Sequence, residues 1–180
     1  MNTATPPGSD SDAASDQLTY RFDIPLSEVE SAPIKRFDAY WRGKIKDGRL
    51  PGRDDIDPAE MVPLLPDIVL LDVEWDPFRC RVRLRGTRAE QFRPKDTTSK
   101  YLDEGKIFDP GRREDYVAEM KFVASSHRPA FAQDWMTTRF GAKRGIFAGI
   151  WPLASDGEKV DMLVVIEDFA GLSLDEFDLG

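Results

Sequence analysis

Among the 180 residues there is one cysteine, Cys80, and one histidine, His127. A single thiol excludes an intramolecular disulfide, and one Cys with one His is too few soft ligands for a protein-built zinc site. No metal centre is expected. The longest apolar runs, Ile68–Leu71 and Met162–Ile166, fall far short of the roughly 20 residues that cross a bilayer. Glycine-rich phosphate loops, a nucleophile elbow, paired metal carboxylates and internal repeats are absent as well. Ser125-Ser126-His127 are sequence neighbours at a helix end and supply no triad geometry. Residues 1–16 have no basic stretch followed by an apolar one, so neither a secretory signal nor a transit peptide is expected, and a cytoplasmic location is.

What is present suits one domain. Hydrophobic residues make up 41% and aromatics 11%, with 11 Phe and 4 Trp, enough for one packed core with room for a pocket. The net charge of -8 is uneven: residues 1–34 and 167–180 carry -5 each, and the body between them +2. That balance argues against nucleic-acid binding and makes the ends solvated, with acidic tails that can screen a mildly basic body.

Residues 1–18 are Ser, Asp, Thr, Ala and Pro with almost no large apolar side chain, and read as a disordered acidic tail. Residues 19–66 form a helical lead. Ile34, Phe37, Trp41 and Ile45 recur at spacings of three and four, predicting an amphipathic helix from Ser31 that stops by Gly48 and Pro51. Asp57, Pro58 and Glu60 then have the spacing of an N-cap, a first-turn proline and a capping-box acid for a short helix ending at Pro66. In the core, 67–170, the period becomes two. Ile68–Glu74 and Phe78–Arg85 read as a hairpin across Asp76-Pro77, Thr87 caps a brief helix through Phe92, and a longer helix covers 112–126. Strands follow at 130–138, 146–154 and 160–169, and an acidic tail closes the chain at 171–180. The result is an α+β domain: a five-stranded antiparallel sheet with helices on one face, plus the N-terminal helix.

That order, with particular strings, resembles the PAS domain, and more narrowly the stand-alone bacterial PAS proteins with an N-terminal helical lead. The strings are Ala39-Tyr40-Trp41-Arg42, Asp55-Ile56-Asp57-Pro58, Leu64-Leu65-Pro66 and Asp72-Val73-Glu74. They continue with Arg81-Val82-Arg83-Leu84-Arg85-Gly86-Thr87, Tyr101-Leu102-Asp103-Glu104, Arg128-Pro129, Trp151-Pro152-Leu153 and Asp156-Gly157. Thr98-Ser99-Lys100 stands where the pattern has a small glycine turn. The resemblance implies strand order 2-1-5-4-3, a pocket between the inner sheet face and the helices, and a non-catalytic sensory or interaction role. With no output domain fused, the signal would pass to a separate signalling protein or through a homodimer. It does not name a ligand: PAS domains take haem, flavins, small acids or nothing, so the cofactor stays open.

Strands and helix that should face one another carry Tyr116, Met120, Phe131, Trp135, Phe147, Trp151, Met162 and Val164, the candidate lining of a small-molecule pocket. Period two sets Arg79, Arg81, Arg83 and Arg85 on one face of their strand, with Cys80, Val82 and Leu84 on the other. Such a row can meet an acidic partner or an anion; the ordinary reading is a solvated, salt-bridged face on an edge strand. The helix bearing Trp41 either covers the outer sheet face or dimerises. His127 lies near the proximal histidine of haem-binding PAS sensors, but a helix C-terminus is an ordinary place for an exposed histidine. Flavin photosensors need a reactive cysteine in a helical setting, whereas Cys80 alternates with arginines in a strand and reads as a small buried hydrophobe. The alternative to a sensor is a small cone-type enzyme working with Asp134 or Asp72 against Tyr101.

Overall fold

The computed structural model describes residues 18–93, 97–104 and 113–177. Most of the acidic N-terminal segment therefore lies outside the described residues. Ser31 opens the first helix, α1 (Ala32–Gly43), by accepting a hydrogen bond from Ile34 N at 3.3 Å, and Pro33 occupies the first turn. The helix buries Ile34, Phe37 and Trp41 of the stripe expected from the spacing, together with Asp38, which the spacing places off that stripe, while Ile45 lies beyond its end and is exposed. Pro58–Asp67 is a 3-10 segment rather than an α-helix. Asp57 caps it through Ala59 N, and Pro63 and Pro66 remove the donors an α-helix would need.

The sheet contains β1 (Arg21–Phe22), β2 (Ile68–Trp75), β3 (Phe78–Arg85), β4 (Ala130–Thr137), β5 (Lys143–Leu153) and β6 (Met162–Glu167), all antiparallel, in the order β1-β4-β5-β6-β2-β3. Setting β1 aside, this is the anticipated 2-1-5-4-3 order. The sheet has six strands rather than five, because the short arm before α1 adds β1 to the edge of β4. Two residues are too few to display a period, so sequence pattern cannot reveal such a strand.

Two helices lie over the inner face: α2 (Thr87–Gln91), preceded by Gly86 as N-cap, and α3 (Arg113–Ser126). Ala89, Phe92, Leu102, Met120 and Val123 pack there against Val69, Leu71, Val82, Ile150 and Val165. The outer face is covered too. Phe37, Trp41, Ile56, Met61 and Leu64 of the lead pack on Leu70, Phe131, Trp151, Met162 and Val164. Each fully buried aliphatic or Phe side chain contributes about 1.5–3 kcal/mol, so the lead is integral to the fold. The lead thus makes the outer face a second core, beside the helices on the inner face.

Polar anchors fix that second core. Trp41 Nε1 donates to the Pro152 carbonyl at 2.9 Å, and Trp151 Nε1 donates to buried Asp38 Oδ1 at 3.1 Å, whose other oxygen accepts from Arg42. Trp151 lies back over Gly149, where a Cβ would collide with the indole ring. The tight turn at Thr98-Ser99-Lys100 forms without glycine, with Ser99 at φ 68°. The C-terminal segment is docked rather than solvated as far as residue 177. Phe177 packs edge-on against Phe92, and Glu176 accepts two hydrogen bonds from Arg144.

Candidate functional site

The inner face encloses a cavity between the sheet and α3. Its apolar wall comes from Val69, Leu71, Leu102, Met120, Ile150 and Val165, and Ala132 and Ala148 keep the floor open by their small size. Tyr20, Arg85, Tyr116, Glu119, Asp134 and Glu167 supply the polar groups. The free volume is about 30 Å³, room for a water or a few heavy atoms.

Most of these polar groups are mutually satisfied. Tyr116 Oη donates to Asp134 Oδ2 at 2.9 Å, and Asp134 Oδ1 accepts from Trp135 N at 2.7 Å. The Tyr20 hydroxyl donates to Glu119. Arg93, 8% exposed, holds Glu167, 6% exposed, through Nε at 3.1 Å and a second, shorter contact from Nη2. Burial acts to lower the Arg93 pKa, but the Glu167 carboxylate outweighs it and raises the group above the ordinary arginine range.

Arg85 stands apart. Its Nε and Nη1 are buried with no hydrogen-bond partner, and the described residues form no ion pair with it. Burial lowers its pKa, partly countered by the charges of Glu167 and Glu90. A β-bulge sets this side chain in the cavity. Leu70 pairs with Leu84 but Leu71 pairs with Val82, so Arg83 is an extra residue and the alternation reverses beyond it. Leu84 consequently faces outward, 47% exposed, and Arg85 turns inward opposite Val69.

The expected row of four arginines is therefore a row of three, and those three are paired. Arg79 reaches Asp103 and Glu104 at 2.6–2.9 Å and lies 3.6 Å from the Tyr101 ring centroid; Arg81 and Arg83 share Asp72 at 3.0 and 3.2 Å. This matches the salt-bridged strand face rather than a free cationic surface. Trp41 is 2% exposed within its own chain, and Ile34, Phe37 and Trp41 of its stripe pack on the sheet.

The eight candidate pocket residues do not meet in one pocket. Tyr116 and Met120 line the inner cavity. Phe131, Trp151, Met162 and Val164 belong to the outer core beneath the lead, Phe147 packs against it, and Trp135 shares the alternation of Phe131 on β4. The reason is visible in β6: Met162–Glu167 are buried on both faces, so nothing in that strand distinguishes inner from outer. Of the lining, sequence reasoning named only Tyr116 and Met120 as pocket residues; among those it missed, Ala132, Ala148 and Arg85 signal through small size or through the bulge, neither of which a period reports.

Among the described lining residues there is no imidazole or thiol. His127 ends α3 in the left-handed conformation at φ 56° and is exposed, so the arrangement does not suit a haem. Cys80 is 2% exposed and its thiol is pushed up to about 12 by burial and the charge of Asp103, so it does not suit a reactive flavin cysteine. The acid-base pairing also fails to assemble: Asp134 bonds Tyr116, Asp72 bonds two arginines, and Tyr101 donates to Glu74 at 2.8 Å. Among the described residues no helix is long and apolar enough to span a membrane, and no three His, Cys, Asp or Glu side chains converge on a metal position.

An antiparallel sheet in this order, with helices capping a cavity on its inner face, is an α+β architecture. The PAS domain family model matches residues 29–166, and the chain belongs to that family. PAS domains are generally sensory, non-catalytic modules. Among solved structures, the chain is similar to an RNA-binding light-oxygen-voltage receptor, at 11% identity and a TM-score of 0.45. The likeness covers 89% of this chain but 41% of that one. It is also similar to a fungal LOV domain photoreceptor, at 15% identity and a TM-score of 0.41, over 77% of this chain and 94% of the other. No curated protein sequence matches it.

Proposed function

We propose that the protein is a non-catalytic, cytoplasmic PAS sensor of bacterial signalling that takes a small molecule into the inner-face cavity and reports occupancy to a separate signalling protein. The observation that carries this reading is the cavity itself, built on Ala132 and Ala148 and lined by Arg85, whose Nε and Nη1 are buried without an acceptor. A buried donor without an acceptor costs free energy, and that cost is relieved when a complementary group arrives. Occupancy there touches α3 through Tyr116, Glu119 and Met120 and the N-terminal arm through Tyr20, giving two routes from the ligand to the surface. Self-association as a homodimer belongs to the same proposal and, with the Trp41 stripe buried, uses another surface.

The test compares the full chain with Ala148→Phe, which fills the cavity floor, and with the milder Ala148→Val. Thermal unfolding is followed with and without the low-molecular-mass fraction of a bacterial extract. The proposal predicts that wild type is stabilised, Ala148→Val less so, and Ala148→Phe not at all. Equal shifts in all three proteins, or none in wild type, contradict it.

A further inference from the structure

Resting on the reading of the inner cavity as a ligand site, we infer that the ligand is a small organic anion, a monocarboxylate with a short aliphatic body, whose carboxylate pairs with Arg85. Three observations converge. First, the carboxylates that line the cavity already have donors: Glu167 is held by Arg93, Asp134 by Tyr116 and Glu119 by Tyr20, while Glu90, whose charge also acts on Arg85, is exposed outside that lining. Arg85 Nε and Nη1 alone remain buried without an acceptor in this lining. A guanidinium cannot shed its proton at physiological pH, so its complement has to be an anion or a strong acceptor.

Second, apart from Tyr20, Tyr116, Glu119, Asp134 and Glu167, which are bonded already, the rest of the wall is apolar, with Val69, Leu71, Ile150 and Val165 around the two alanines. That surface gains from covering carbon and gives nothing to a bare inorganic ion, which would leave its other oxygens unbonded. Third, the free volume of about 30 Å³ limits the body to a few heavy atoms, with the flexible Met120 as the wall most able to adjust. The bulge that turns Arg85 inward is what makes the site: with regular alternation the same residue would face outward with Arg81.

The experiment uses the full chain and follows the Arg85 Nε–Hε NMR signal, assigned by its loss in Arg85→Met. Acetate, propionate and butyrate are titrated at constant ionic strength beside acetamide, propionamide, butyramide and sodium chloride. The inference predicts saturable shifts of this signal with at least one carboxylate and at least a tenfold weaker response to its amide and to chloride. It further predicts at least a tenfold loss of carboxylate affinity, read from backbone amides of the lining, in Arg85→Met and a partial loss in Arg85→Lys. If the amides bind as well as the acids, are excluded by Ala148→Phe and are indifferent to Arg85→Met, the cavity is a ligand site but the anion assignment is wrong. If no carboxylate moves the signal, the inference is overturned, while the extract experiment still decides the broader reading independently.

Discussion

Arg93 holds Glu167 in a two-point ion pair on the inner face, whereas Arg85, which lines the same cavity as Glu167, has Nε and Nη1 buried without an acceptor. The two arginines have the same chemistry and opposite energetics. Removing the paired one leaves a buried carboxylate without its two-point partner; removing the unpaired one relieves two buried donors that have no acceptor.

Arg93→Met should therefore lower stability by about 3–5 kcal/mol, the range for breaking a buried pair from one side. Arg85→Met should raise the stability of the ligand-free protein by about 1–3 kcal/mol, the desolvation cost of an unmet polar group. Urea denaturation of both variants in a buffer of chloride salts checks the pair of signs.

Asp38 joins the lead helix to the sheet through the Trp151 indole and Arg42. Asp38→Ala leaves the Trp151 N–H buried without an acceptor and should cost about 1–3 kcal/mol. Trp151→Ala, which opens the outer core, should cost about 3–5 kcal/mol. Both are read from denaturation midpoints.

Gly86 is the point where the 3-10 segment of the lead meets the end of β3. Its amide donates to the Ile68 carbonyl at 2.7 Å, and a Cβ would overlap the carbonyls of Leu65 and Pro66. Gly86→Ala should destabilise by at least the 1–3 kcal/mol typical of overpacking, since backbone cannot step aside as a side chain can. The same substitution at exposed Gly43, with nothing within 4 Å of its Cβ, serves as the control and should not destabilise.

Cys80, with its thiol pushed up to about 12 by burial, should resist iodoacetamide at pH 8 in the folded protein. Labelling should accelerate in parallel with unfolding as urea is added. Mass spectrometry of the alkylated chain gives the rate, and fast labelling without urea would show the inner core to be more open than described.

Asp23 accepts two hydrogen bonds from Arg128, at 2.8 and 2.7 Å, which ties the arm beyond β1 to the start of β4. Those bonds, opposed by partial burial and aided by the Arg128 charge, hold the carboxyl below its ordinary 3.8. A lowered folded pKa means this contribution is complete above 3.8 and is lost as pH falls through the lowered value. Wild type should exceed Asp23→Asn by up to about 1 kcal/mol at pH 7, in keeping with a largely exposed pair, and the difference should vanish in strong acid. A stability series in urea from pH 6 to 2 measures it.

Much of the architecture could be read from residue spacing. Ile34, Phe37 and Trp41 marked α1, and the apolar Ile68–Leu71, the alternation of Phe78–Arg85 and the glycine-bearing turns between the last three strands marked β2 to β6, because buried faces impose their period directly on sequence. The site was less legible, for three physical reasons. A sheet buried on both sides removes the contrast that identifies an inner face, so Trp151 and Val164 looked like cavity residues. A bulge leaves composition unchanged while reversing every later side chain, so Arg85 looked like one of a row. Alanines make space by what they lack, and Ala132 and Ala148 carry no signal of their own. Docking of the C-terminal segment depends on Glu176 meeting Arg144, a contact between residues far apart in the chain that no local pattern announces.

The most direct test is native against denaturing mass spectrometry of the full chain and of Arg85→Met, each equilibrated with a mixture of acetate, propionate and butyrate. The account predicts a one-to-one carboxylate adduct on the folded wild type that denaturation releases, and its absence from Arg85→Met. Equal adducts on both proteins, or none on wild type, would contradict it.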